Sequence, residues 1–171
     1  LLERGRLPRP LWAAPLAFLS VLDSLGALEE GGALSAEPGF SEPFLLQSAH
    51  YRQIAPYYNT HLYSPPLERQ PTALNPDLDT ARIERDYSTA EEPGLVVIDD
   101  LLSPSTLAAL QRFVEEATIW HDVKYGLGSY LGAYLEEGLN GPLLLQLEAE
   151  LRLSFPEVIG ALPLVQMWAY K

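Results

Sequence analysis

Ser129 lies in the run GLGSYLG, and a serine set among glycines is where nucleophilic chemistry would be sought first. A nucleophile elbow needs glycine two residues before and two after the serine, so that a sharp turn can lift the hydroxyl clear of the backbone. Those positions hold Leu127 and Leu131, and the hydroxyl is not set for attack. Gly126, Gly128 and Gly132 miss the dinucleotide-binding spacing by one residue. They also precede a strand-like run, whereas a phosphate-cradling loop follows a strand and opens a helix. Glycines easing a turn into a strand account for them.

Metal chemistry needs imidazoles or carboxylates brought together, and the chain has His50, His61 and His121. The first two stand on either side of Pro56 in a polar stretch and read as surface or helix-packing residues. His121 and Asp122 are neighbours, and neighbours on an extended chain point to opposite faces, so they read as solvated turn residues after a helix. Asp77 and Asp79 have a D-x-D spacing that suits a divalent cation. Carboxylates also collect at helix N-termini, where they accept orphan backbone N–H groups, and capping is the preferred reading. The pairs Asp99–Asp100 and Glu136–Glu137 fall where strands end and read as solvated acids. No catalytic residue and no metal ligand is assigned.

The elements that must position any site change character near residue 93. Up to residue 92 the chain reads as an irregular, helical region. An apolar run over 11–22 is followed by the loop-like EEGGALSAEPG, then by a helix over 41–62 capped at Ser41 and interrupted at Pro56. A Pro-rich extended stretch, YSPPLERQPTALNPD, leads to a short helix over 77–87, capped by Asn75 or Asp77, with Ile83 and Tyr87 turned inward. From 93 to 171 strands and helices alternate. GLVVIDD is a short, continuous apolar run and predicts a buried strand. Ser103 followed by Pro104 predicts a helix start, with Leu107, Leu110, Phe113, Val114 and Ala117 on one face. GLGSYLGAYLE predicts a second strand. A helix follows over 140–155, burying Leu143, Leu144, Leu147, Leu151 and Phe155, and the alternation in PLVQMWAYK predicts a third strand.

Composition bounds what such a chain does. Its 171 residues carry a net charge of −12, which repels phosphate backbones and anionic headgroups, so nucleic acid is excluded as a partner. The absence of cysteine removes disulfides, thiolate nucleophiles and Cys-type zinc sites, and suits the reducing cytoplasm. Arg4, Arg6 and Arg9 ahead of the apolar run also fit a secretory signal, the competing reading of that segment. The run is shorter than the ~20 residues of a membrane span and contains Pro15.

The run from Gly94, GLVVIDDLLSPSTLAALQRFVEEATIWHDVKY and then YLGAYLEEGLNGPLLLQLEAELRLSFPEVIGALPLVQMWAYK, resembles the start of the prolyl 4-hydroxylase-like Fe(II)/2-oxoglutarate oxygenases. ALNPDLDTARIERDY resembles the region just upstream, and WAYK is the most distinctive part. The resemblance implies an α+β chain in which a helical N-terminal region precedes the first strands and supporting helices of an incomplete double-stranded β-helix, or jelly roll. In that family a His-x-Asp pair and a distal His hold the iron and leave positions open for 2-oxoglutarate and oxygen. No His-x-Asp occurs in this sequence. The chain, which opens on Leu1 and ends on a strand, is therefore read as a fragment of a dioxygenase, inactive by itself. Fe(II) and 2-oxoglutarate are expected of the full-length protein, with neither held by this chain. The resemblance places Tyr170 where relatives have a tyrosine that contacts 2-oxoglutarate, with Trp168 on the same side of the sheet. Its substrate would be a protein or a small molecule. The alternative is a non-catalytic protein-interaction domain that retains the supporting helices.

Overall fold

A computed structural model describes residues 8–26, 46–89, 94–124 and 130–171. The fold mixes helix with a small antiparallel sheet and divides into two compact units, 1–63 and 64–171. The sequence pattern changes at 92/93, yet the units meet at 63/64, so the Pro-rich stretch belongs with the second unit. Among the described residues no helix is long and apolar enough to cross a membrane.

In the first unit, α1 (Ala13–Ser24) packs with α2 (Ser48–Ile54), burying Ala14, Val21 and Ile54. The Ser41 cap expected for α2 lies outside the described residues. The helix is also shorter than the expected 41–62. Pro56 carries no N–H to continue the ladder. The N–H groups of Tyr57 and Tyr58 both fall back on the Ile54 carbonyl at 2.8 Å, and Asn59 leaves the helix in the left-handed region.

The second unit holds α3 (Thr80–Thr89), α4 (Pro104–Glu116), β1 (Asp122–Lys124), β2 (Tyr130–Tyr134), α5 (Pro142–Ser154) and β3 (Trp168–Tyr170). The strands form one sheet in the order β1-β2-β3. The α4 start is as expected: extended Ser103 accepts the Thr106 N–H at 3.3 Å, and Pro104 stands in the first turn, where its missing N–H costs nothing. Phe113 and Ala117 are buried and Leu110 packs against the core, as the apolar stripe predicts, but the first turn faces inward through Thr106 and not Leu107. Thr106 is fully buried while Leu107 is 46% exposed. The reason is polar: Ser103 Oγ lies 2.9 Å from the Thr72 carbonyl, to which it donates, and the Thr106 hydroxyl lies 3.0 Å from Ser103 Oγ and 3.5 Å from that carbonyl. At the other end of α4, Lys171 Nζ donates to the Val114 and Glu115 carbonyls at 3.0 Å each, a cation on the orphan acceptors of a helix terminus.

Two expected strands change. Residues 94–100 form no ladder, and Leu95 and Val97 are 73% and 81% exposed. A continuous apolar run makes a buried strand only when both of its faces are covered. Here Tyr87 packs over Gly94, Asp100 turns the chain in the left-handed region, and pairing starts only at Leu102, which bridges Leu74. The strand expected from Pro163 pairs only over Trp168–Tyr170. β2 ends at Tyr134 in a 3₁₀ turn, Leu135–Glu137, so residues 163–166 have no neighbour there to pair with. Conversely, His121 and Asp122 are not turn residues after a helix: Asp122 opens β1.

The core gathers Phe113 of α4, Leu143 and Leu144 of α5, Ala133 of β2, and Leu67, Ala73, Ala117, Ile119 and Leu139 from the connections. Met167 and Ala169 pack against it from the β3 side. The Pro-rich stretch is held inside by side chains of α5. Glu150 Oε2 accepts the N–H groups of Ala73 and Leu74 at 2.8 and 2.9 Å, and Gln146 both donates to and accepts from the Gln70 backbone at 2.8 and 2.9 Å. Gln146 Nε2 also donates to Glu150 Oε1 at 2.7 Å. Burial pushes the Glu150 pKa up, but the N–H of Leu74, the Gln146 amide, the Ala73 N–H and the Thr72 hydroxyl together bring it below its ordinary value.

Replacing Glu150 by alanine strands two backbone donors and the Gln146 amide, and should cost the second unit about 2–4 kcal/mol in urea unfolding. A depressed folded pKa stabilises above the ordinary glutamate value of 4.5 and loses that contribution as pH falls through the folded value. Acid unfolding curves of wild type and Glu150→Gln should therefore converge as the pH drops below that value. Parallel curves would show that the carboxylate charge carries no weight.

Candidate functional site

The strand register places seven residues on the sheet face opposite the core. Asp122 pairs with Gly132 and Gly132 with Tyr170; Lys124 pairs with Tyr130, and Tyr134 with Trp168. Side chains alternate along each strand, so these residues share one face while Ala133 and Ala169 turn to the core. Tyr130 is 40%, Trp168 54% and Tyr170 51% exposed. An aromatic strip this open is an unusual surface for strands to present to water.

Its order comes from short contacts. The Tyr130 and Tyr170 rings meet edge to face with centroids 4.7 Å apart. Gly132 lies between Asp122 and Tyr170; a Cβ there would stand 3.3 Å from Asp122 Oδ2 and 3.5 Å from the Tyr170 ring, so its bareness lets the two approach. Asp122 Oδ2 accepts the Tyr134 hydroxyl at 2.7 Å and the Lys124 ammonium at 2.9 Å. Those bonds set the ionisation of all three. The hydrogen bond from Lys124, then that from Tyr134, holds the Asp122 carboxyl below its usual range, while the bond to Asp122 pushes both Lys124 and Tyr134 up. At neutral pH the trio is a carboxylate, an ammonium and a protonated phenol.

Tyr170 and Trp168, the two residues singled out from the sequence, thus come together on one face. Tyr130, Gly132 and Tyr134 join them, as the alternation in that run indicates. Asp122 and Lys124 are the members that sequence reasoning missed. Their signal was the spacing of two in DVK, which puts a carboxylate and an ammonium on the same side of a strand. The other candidates are not brought here. Asp79 Oδ1 accepts the Arg82 N–H at 3.0 Å as the α3 cap, in place of the expected Asn75 or Asp77, and Asn75 Oδ1 accepts the Asp77 N–H at 3.0 Å in the turn before it. His50 is on α2, its Nδ1 buried without a hydrogen-bond partner among the described residues, and His121 precedes β1. Ser129, Gly126 and Gly128 lie outside the described residues. Among the described residues no three His, Cys, Asp or Glu side chains gather into a metal-ligand group.

The chain matches no protein-family model, no curated protein and no solved structure. Its functional reading rests on this face and on the resemblance in its sequence.

Asp122→Asn removes the charge that keeps the Tyr134 proton in place. In tyrosinate absorbance titrations, the step that Tyr134→Phe removes should lie at lower pH in Asp122→Asn than in wild type. An Asp122→Asn titration that overlays wild type would show that the 2.7 Å contact does not persist in solution.

Proposed function

We propose that this chain supplies the early, helix-backed part of a prolyl 4-hydroxylase-like Fe(II)/2-oxoglutarate dioxygenase, in which the open aromatic face lines the reaction space of a jelly roll. The observation that carries this reading is the sidedness of the sheet. α4 and α5 share a core with one face, while Tyr130, Trp168 and Tyr170 stand exposed and Tyr134 half-buried on the other, on strands that include the family-like WAYK. The fit to the two cofactors differs. A phenol such as Tyr170, half-exposed beside Tyr130, suits a hydrogen bond to a 2-oxoglutarate carboxylate, with Trp168 bordering the same space. Iron is not fitted by these residues, since Asp122 is the only carboxylate that the three strands give this face, and no residue here is assigned as its ligand. The His-x-Asp and distal His belong, in this reading, to residues beyond this sequence. No chemical step is assigned to the chain's own side chains beyond binding and orientation.

The exposure of the same aromatic residues also supports a second reading, a protein-interaction domain whose partner covers the face. The test uses the full-length gene product with Fe(II), ascorbate and 2-oxoglutarate, read by succinate release. The dioxygenase reading expects succinate from that protein, none from the 171 residues alone, and a raised KM for 2-oxoglutarate in Tyr170→Phe. A full-length protein that lacks His-x-Asp, or yields no succinate with any peptide or small-molecule acceptor tried, would transfer the face to the partner-binding reading.

A further inference from the structure

On the helix side of β3, away from the aromatic face, a groove of about 410 Å³ runs along α5. One wall is the α5 stripe of Leu144, Leu147 and Leu151; the other is the returning segment, with Ile159, Leu162, Leu164 and Met167. Both walls are aliphatic or thioether, with no aromatic ring among them, and the charged side chains on the lining are Glu148 and Arg152. The sequence pattern assigns Leu147 and Leu151 to the core, yet both are only half-buried, and Leu162 is 58% exposed.

Polar contacts tie the returning segment to α5. Arg152 Nη2 and Nε donate to the Gly160 carbonyl at 3.0 and 3.3 Å, and Nη1 reaches Glu148 at 3.4 Å. The returning turn is itself tightly folded: a Cβ on Gly160 would come within 2.7 Å of the Pro156 backbone, so only glycine fits there. The N–H groups of Val158 and Ile159 both bond to the Phe155 carbonyl at 3.3 and 3.0 Å. The turn is thus fixed at one position relative to α5, and the groove volume falls in the ~300–1,000 Å³ range of small-molecule sites. Arg152 uses three of its five N–H donors in these contacts, and two remain on a guanidinium that the fold has already immobilised.

We propose that this groove binds one medium-length fatty acyl chain, its alkyl part between the leucine walls and its carboxylate on Arg152. A flexible alkyl chain adapts to aliphatic walls better than a flat ring would. A guanidinium fixed before binding loses little freedom on meeting a carboxylate.

The test titrates the intact chain with decanoate below its micelle concentration, by calorimetry and by thermal shift. Saturable binding of a single chain with a raised Tm is expected. Leu164→Trp, a change at a position already 37% exposed, should fill the groove and abolish binding without altering the far-ultraviolet circular dichroism. Leu147→Trp makes the same test from the opposite wall. Arg152→Met should weaken decanoate about tenfold, the size of one charge-assisted contact. Three results overturn the proposal: no saturable binding by wild type, binding that survives both tryptophan variants, or protein self-association that those variants abolish while decanoate leaves it unchanged. Equal decanoate affinity in Arg152→Met would overturn the placing of the head group.

Discussion

Residues 72–74 run between α4 and α5 as an extended segment without a full strand partner, and backbone N–H groups removed from water must find acceptors. Glu150 answers that requirement from α5 by taking two of them on one oxygen, while Ser103 and Asn75 tie the same segment to the start of α4. The rest of the second unit is arranged around this clamp. It fixes which side of α4 faces inward, because Thr106 has to meet the polar cluster that Leu107 cannot serve. It also fixes the height of α5, and therefore where Leu143 and Leu144 enter the core. A neutral side chain at residue 150 would leave the same donors to weaker acceptors.

The two faces of the sheet are specialised by residue size as well as by polarity. Ala133 and Ala169 are small, so the core can close against the strands, and the large side chains of β2 and β3 are left to the opposite side. An enzyme wall and a protein-docking surface both need that division. The acid, ammonium and phenol at Asp122, Lys124 and Tyr134 add a polar, hydrogen-bonded end to an otherwise apolar strip.

Local signals in the sequence were readable where one residue decides the outcome. Ser103 and Pro104 marked the start of α4, the helix expected over 140–155 is α5, and the alternating run around Tyr130 became β2. The errors came where distant partners decide. GLVVIDD has the composition of a buried strand, but strand formation depends on a neighbour, and its pairing moved to Leu102. Thr106 and Gln146 were invisible as interior residues because nothing nearby in the sequence shows that Thr72 and Gln70 wait there as partners. The same holds for the candidate site: the alternation of Trp168 and Tyr170 was legible, while the trio around Asp122 required the antiparallel register to bring residues 122 and 134 together.

The clamp on the extended segment also sets an order of events during synthesis. Glu150 and Gln146 lie 76 or 77 residues beyond the backbone groups they hold. A chain growing from the ribosome at ~5–20 residues per second must carry residues 70–74 without those acceptors until α5 has emerged. Closing so long a loop has an entropic cost before any contact repays it, and such topology slows folding. α4 can form early from its own cap, but the second unit becomes cooperative only when α5 docks. A nascent chain stalled before residue 150 would display the Pro-rich stretch to chaperones and proteases.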